Sequence, residues 1–209
     1  MRLRYWLAEG GRITLSVFVS SLLYSLLMGV NSFTGDPMDA LRTGSMYLLL
    51  FGTIMSMALC ANVYLIHVNL SLSFGCTRKE AFLGLQVFRL AIAVPVILVS
   101  GGLMALAGGS REISPGMMMG AGAAAFLLNN ALGGVLGILS TRRRRAFLVA
   151  VQIVLTILGT GLVGFALYML IFQWELQLWG LGILLAVGAA LYGLSSAAEW
   201  RCLKRLSVR

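Results

Sequence analysis

Charge is scarce in this chain of 209 residues: only 11% are Asp, Glu, Lys or Arg, against about 25% in an ordinary soluble domain. Hydrophobic residues make up 59% and the mean hydropathy is +0.93, which excludes an ordinary water-soluble fold and, with it, disorder and collagen-like repeats. Acidic residues are the rarest charge, 7 against 16 Lys and Arg, for a net charge of +9. In a soluble protein that surplus suggests nucleic acid; in a membrane protein it sets topology, so no nucleic-acid partner is expected. Three cysteines are too few for a disulfide framework, and one histidine, His67, without a second His or a nearby acid or Cys in a ligand pattern, gives no metal site. Neither a Gly-x-Ser-x-Gly elbow nor a Gly-x-x-x-x-Gly-Lys-Ser/Thr phosphate loop is present, so no nucleophilic or ATP-hydrolysing enzyme is expected. Ionisable residues are read as absent from mid-depth of the apolar runs, which disfavours a self-powered proton pump.

Long apolar runs are what the chain does have. Six uncharged stretches, at about 13–33, 45–66, 90–108, 116–140, 146–172 and 176–198, are long enough at 1.5 Å per residue to cross about 30 Å of hydrocarbon. Lipid forces the backbone to satisfy itself, so these are predicted helices, and the fold class is an all-α polytopic membrane protein with six transmembrane helices in one domain, 13–209. Alternate borders hold 14 of the 16 cations: Arg2, Arg4 and Arg12, then Arg78, Lys79 and Arg89, then Arg142 to Arg145, then Arg201, Lys204, Arg205 and Arg209. The opposite borders hold Arg42 and Arg111 with Asp36, Asp39, Glu112 and Glu175. This asymmetry predicts that both termini are cytoplasmic. Cys76 and Cys202 then face a reducing compartment, so no disulfide is expected. The first run is longer than a signal-peptide core and lacks a clear small-x-small cleavage site, so it is read as a retained span. Residues 1–12 are read as a short amphipathic surface helix ending at Gly10-Gly11.

Within the spans the polar residues are amides and hydroxyls. Asn129 and Asn130 in the fourth run and Gln152 in the fifth, with Asn62, Thr156 and Thr160, suit interhelical hydrogen bonds or a substrate path. Small residues four apart, Gly116-Gly120-Ala124, Gly133-Gly137 and Gly182-Ala186-Ala190, allow close helix approach within or between subunits. Pro95 predicts a weak point in the third span. Arg142 to Arg145 suit a topology lock or contact with anionic lipid.

The segment joining the second and third runs, residues 67–89, carries the functional signal. Thr77-Arg78-Lys79-Glu80 has the form of a capping box, and Gly75 is placed to end a preceding stub, about 68–74, in a left-handed cap. This predicts a rigid helix-break-helix, able to transmit a push from a soluble partner to two spans. Ser73-Phe74-Gly75-Cys76-Thr77-Arg78-Lys79-Glu80-Ala81-Phe82 resembles the Ser-x-Gly-x-Thr-Arg-x-x-x-Phe segment after the second helix of permease subunits of bacterial type-2 ABC exporters. The resemblance spans about ten residues, although the six-helix topology agrees along the whole chain.

That resemblance implies that Phe74, Gly75, Thr77, Arg78, Lys79 and Phe82 belong to a coupling region docking on a separate ABC ATPase subunit. Residues 1–12 would be the connecting segment, with ATP and Mg bound by the partner and no cofactor in this chain. A second permease, identical or related, a multi-pass location in the bacterial inner membrane, and export of a small, lipidic or peptide substrate are implied as well. The family's polymer exporters often carry outer re-entrant helices between spans five and six; here about residues 173–177 separate them, which favours a small or membrane-embedded substrate. Two other readings stand beside it: a six-span substrate-binding component of a vitamin uptake system, and a non-transporting membrane protein whose basic loops recruit a cytosolic partner.

Overall fold

A computed structural model describes residues 2–31, 37–63, 68–73, 75–108, 114–140, 154 and 177–205. The described chain is helical: α1 (Arg2–Asn31), α2 (Pro37–Val63), the short α3 (Asn69–Ser73), α4 (Arg78–Leu106), α5 (Pro115–Ser140) and α6 (Gln177–Arg205). Two of these helices begin with proline, which suits the first helical position because its missing N–H has no intrahelical partner there. Ahead of Pro115, the Ser114 hydroxyl accepts the Met117 amide at 3.2 Å, a side-chain cap for α5. Five helices among the described residues are long and apolar enough to cross a membrane: Gly11–Val30, Pro37–Cys60, Arg78–Leu106, Pro115–Leu139 and Trp179–Arg205. The expected fifth span, 146–172, with Gln152, Thr156 and Thr160, lies outside the described residues except for Val154, and Phe74, His67 and Arg142 to Arg145 lie outside them as well.

Two boundaries differ from the sequence expectation. α1 runs through Gly10-Gly11 as one helix, instead of ending a separate surface helix there; two glycines cost a helix about 1 kcal/mol each, which the flanking turns offset. α6 continues seven residues past its apolar run to Arg205, while α4 begins at Arg78, directly after the Thr77 cap that the sequence predicts and twelve residues before its own apolar run. Both helices therefore carry charged residues into the bundle.

Helix directions follow from close approaches. On α1 and α2, Gly29 lies against the Ala40 carbonyl and Gly44 against that of Ser25, an antiparallel pair. Gly52 of α2 faces Val96 of α4, and Gly101 of α4 faces Met119 of α5, again antiparallel. α5 and α6 are parallel: Gly120 meets Leu181, Gly188 meets Leu127, and Gly134 meets Ser195 and Glu199. α4 is central, sending Leu85, Phe88, Ile92 and Val96 into a core shared with Val17, Leu48, Val63, Phe126 and Leu203. Leucines and valines on the outer faces, such as Leu15, Leu23 and Leu27 of α1 and Leu90 and Leu98 of α4, remain exposed, as a lipid-facing surface requires.

Arg42 of α2 stabilises one end of the bundle, pairing with Asp39 at 2.8 Å and donating to the Ala107 carbonyl at the end of α4 at 3.1 Å. The other end, called the basic end below, gathers the α2–α3–α4 connection and the C-termini of α5 and α6.

Candidate functional site

At the basic end the chain reverses through two interlocked caps. α3 closes with a left-handed Gly75, φ 77°. The Gly75 amide donates to the Leu72 carbonyl and the Cys76 amide to the Ser71 carbonyl, both at 3.0 Å. These two bonds are the Schellman pattern, which satisfies the orphan carbonyls of a helix end. Two residues on, Thr77 opens α4: its hydroxyl accepts the Glu80 amide at 3.2 Å, and its own amide donates to Glu80 Oε2 at 2.7 Å. The capping box expected from sequence is therefore present. Val68 and Leu72 anchor the stub in the main core, while Gly75, Thr77, Arg78, Lys79 and Glu80 are exposed. The result is a stiff, solvent-facing turn rooted in the bundle.

The start of α4 is also tied sideways to the end of α6. Arg78 Nη1 donates to the Lys204 carbonyl at 2.9 Å, placing a cation on an orphan carbonyl of the α6 terminus. Phe82 packs on Trp200 with the rings tilted by 53° and their centroids 5.4 Å apart, and Lys204 Nζ lies 5.0 Å from the Trp200 centroid. One turn deeper, the Tyr192 hydroxyl donates to Gln86 Oε1. Arg89 completes the row. Positions 78, 82, 86 and 89 recur at helical spacing and form one stripe of α4.

Arg89, read from sequence as a border cation, is buried inside the bundle. The residue is 2% exposed, and Glu199 of α6 is fully buried. Nη1 donates to Glu199 Oε2 at 3.0 Å and Nη2 to Oε1, a forked pair; the guanidinium also lies 5.8 Å from the Tyr192 ring centroid. Gly134 of α5 makes room for it, since a Cβ there would stand 2.5 Å from Ser195 Oγ and closer still to Glu199 Oε1. Around the pair, Ser195 Oγ donates to the Ala131 carbonyl at 2.9 Å, and Cys60 Sγ of α2 donates to Asn130 Oδ1 at 2.6 Å. Four helices thus meet at one polar node, inside the basic end. Arg89 Nε, Gln86 Nε2 and both side-chain polar atoms of Asn129 are buried with no hydrogen-bond partner among the described residues.

The two candidate amides therefore separate. Asn130 joins α5 to α2, whereas Asn129 is fully buried with no hydrogen-bond partner among the described residues. Asn62 is exposed, not buried. Of the small-residue ridges, Gly120 packs against Leu181 and Gly133 against the Met57 carbonyl and Cys60. No described atom lies near a Cβ at Gly116 or Gly182. Sequence reasoning missed Arg89, Glu199, Gln86, Tyr192 and Gly134. One signal for Glu199 was available: apart from Glu9 and Glu80, it is the only acid on the cation-rich borders.

Helices of this length and composition make the chain an all-α, multi-pass membrane protein. No match was found among protein-family models, curated proteins or solved structures.

Proposed function

We propose that this chain is the membrane permease of an ATP-driven ABC exporter, with residues 68–82 as the coupling element docking on a separate ATPase subunit. The observation that carries the reading is the doubly capped turn at Gly75-Cys76-Thr77. It presents Arg78 and Lys79 outward while Val68 and Leu72 anchor it in the core. A partner that changes shape with nucleotide needs such a handle, because a floppy loop absorbs displacement that a capped one passes on.

The six-span topology belongs to the same proposal. α5 and α6 run parallel, so a further span between residues 140 and 177, making the return from one end of the bundle to the other, is part of this reading. Residues 146–172 are uncharged and, as a helix at 1.5 Å per residue, would extend about 40 Å, enough for that return. With the cations on one set of borders, both termini are cytoplasmic in a bacterial inner membrane. The substrate is small, lipidic or peptide, and its path lies at the interface with a second permease.

Gentle purification from native membranes tests the proposal. A stoichiometric subunit carrying a phosphate-loop motif is expected, with ATP hydrolysis that becomes uncoupled from transport in Gly75→Val, since a left-handed position rejects a β-branched residue. Recovery with no ATPase overturns the exporter. Tight binding of a small molecule by the isolated chain would favour the uptake component, and a partner insensitive to nucleotide would favour the recruiting protein.

A further inference from the structure

The parallel pair α5–α6 packs along its length, yet α4 meets α6 through the stripe at the basic end: Arg78 on the Lys204 carbonyl, Phe82 on Trp200, Gln86 on Tyr192 and Arg89 on Glu199. Each contact joins the helix that continues the 75–77 turn to the last two and a half turns of α6 or to Tyr192 just above them. None lies beyond Pro95, where α4 loses a backbone donor. Past that proline α4 is held by other partners, namely Arg42 on the Ala107 carbonyl and Met119 against Gly101.

We infer that residues 75–94 and the C-terminal part of α6, residues 192–205, form one rigid unit, with Arg89–Glu199 as its inner latch and Gln86–Tyr192 as a second tie. The pair is suited to that task. Removing either charge strands the other in a dry site, so the latch is held by the penalty for breaking it as well as by attraction. Its forked geometry fixes orientation, not only distance. Gly134 admits the carboxylate against α5, and Ser195 bonds the Ala131 carbonyl beside it, so displacement of the unit is felt in α5. Arg89, Glu199, Gln86 and Tyr192 are positioning residues. A push on the 75–77 turn then moves α6 together with α4, instead of tilting only the two helices that flank the turn. The functional consequence rests on the permease reading; the rigid unit does not.

The test uses the full-length chain in nanodiscs, with Cys60, Cys76 and Cys202 replaced by Ser and spin labels at Lys79→Cys and Arg205→Cys, both exposed positions. A single narrow interlabel distance is expected. Glu199→Gln should broaden it and the charge exchange Arg89→Glu with Glu199→Arg should narrow it again, a rescue that loss of packing alone would not give. Gln86→Leu, which breaks the second tie without stranding a charge, should broaden it less and covers the case in which Glu199→Gln is not recovered folded. An unchanged distribution in both Glu199→Gln and Gln86→Leu overturns the rigid unit. A parallel arm measures ATP hydrolysis against transport in whatever complex co-purifies. Absence of an ATPase overturns the permease reading while the spin-label arm still decides the unit; an ATPase fully coupled in Glu199→Gln overturns the unit as a transmitter and leaves the permease reading intact.

Discussion

Glu199 is the residue on which the basic end depends most. Converting it to Gln leaves the Arg89 guanidinium buried without its counter-ion, and breaking one side of such a pair typically costs about 3–5 kcal/mol. A marked fall in detergent melting temperature is expected, with partial recovery when Arg89→Met is added, because replacing both charges by apolar groups is far less costly than removing one. Gly134 supplies a second check. An added methyl meets Ser195 Oγ and the Glu199 carboxylate, so Gly134→Ala should destabilise by about 1–3 kcal/mol. Its cost should shrink in a Glu199→Ala background, a non-additivity that a double-mutant cycle in thermal unfolding will read. The pair was hidden in the sequence for a plain reason. Reading spans as uncharged runs places each boundary at the nearest charge, so the third span was begun just after Arg89 and the sixth ended just before Glu199. A buried ion pair at the rim of a bundle looks, in one dimension, like two surface charges; only the packing of α4 on α6 brings them together.

Among the elements, the α3–α4 turn was the most legible, because its structure is local. A glycine in the left-handed region and a Thr-x-x-Glu box are determined by residues within a few positions of one another, and both stand as the sequence predicts. Thr77→Ala removes the acceptor for the Glu80 amide and should cost about 1 kcal/mol, read as faster amide exchange over residues 78–81 with little change further along α4. Gly75→Asn, which tolerates the left-handed conformation, should retain more of the turn than Gly75→Val, where a β-branched residue at positive φ carries a penalty of at least about 1–2 kcal/mol; the same exchange measurement ranks them. The end of the first helix was less legible. Gly10-Gly11 is a plausible stop by propensity, yet α1 continues through it, since propensity is a weak prior that flanking helix and packing override. The ridges show the same limit: spacing identified Gly120 and Gly133 as close-approach sites, but identical spacing at Gly182 touches no described neighbour.

For the molecule as a whole, composition alone determined the class, because a chain with so little charge and so many apolar residues has few stable forms outside a bilayer. Helix directions add what hydropathy does not: α5 and α6 are parallel. Reporter tags at residues 2 and 209 should both be protected from an externally added, membrane-impermeant reagent until the membrane is opened, and a tag at residue 36 should react at once. Reaction of one terminal tag only, in intact cells, would remove the even number of spans. The central claim is that the exposed turn ahead of α4 is the seat of an ATPase, and the most direct measurement is photocross-linking from a reactive amino acid at Lys79, in native membranes, with identification of what is captured. The account predicts a cytosolic subunit bearing a phosphate-loop motif, captured with an efficiency that changes when nucleotide is depleted. Capture of lipid alone, or of a protein with no nucleotide-binding motif, would contradict it.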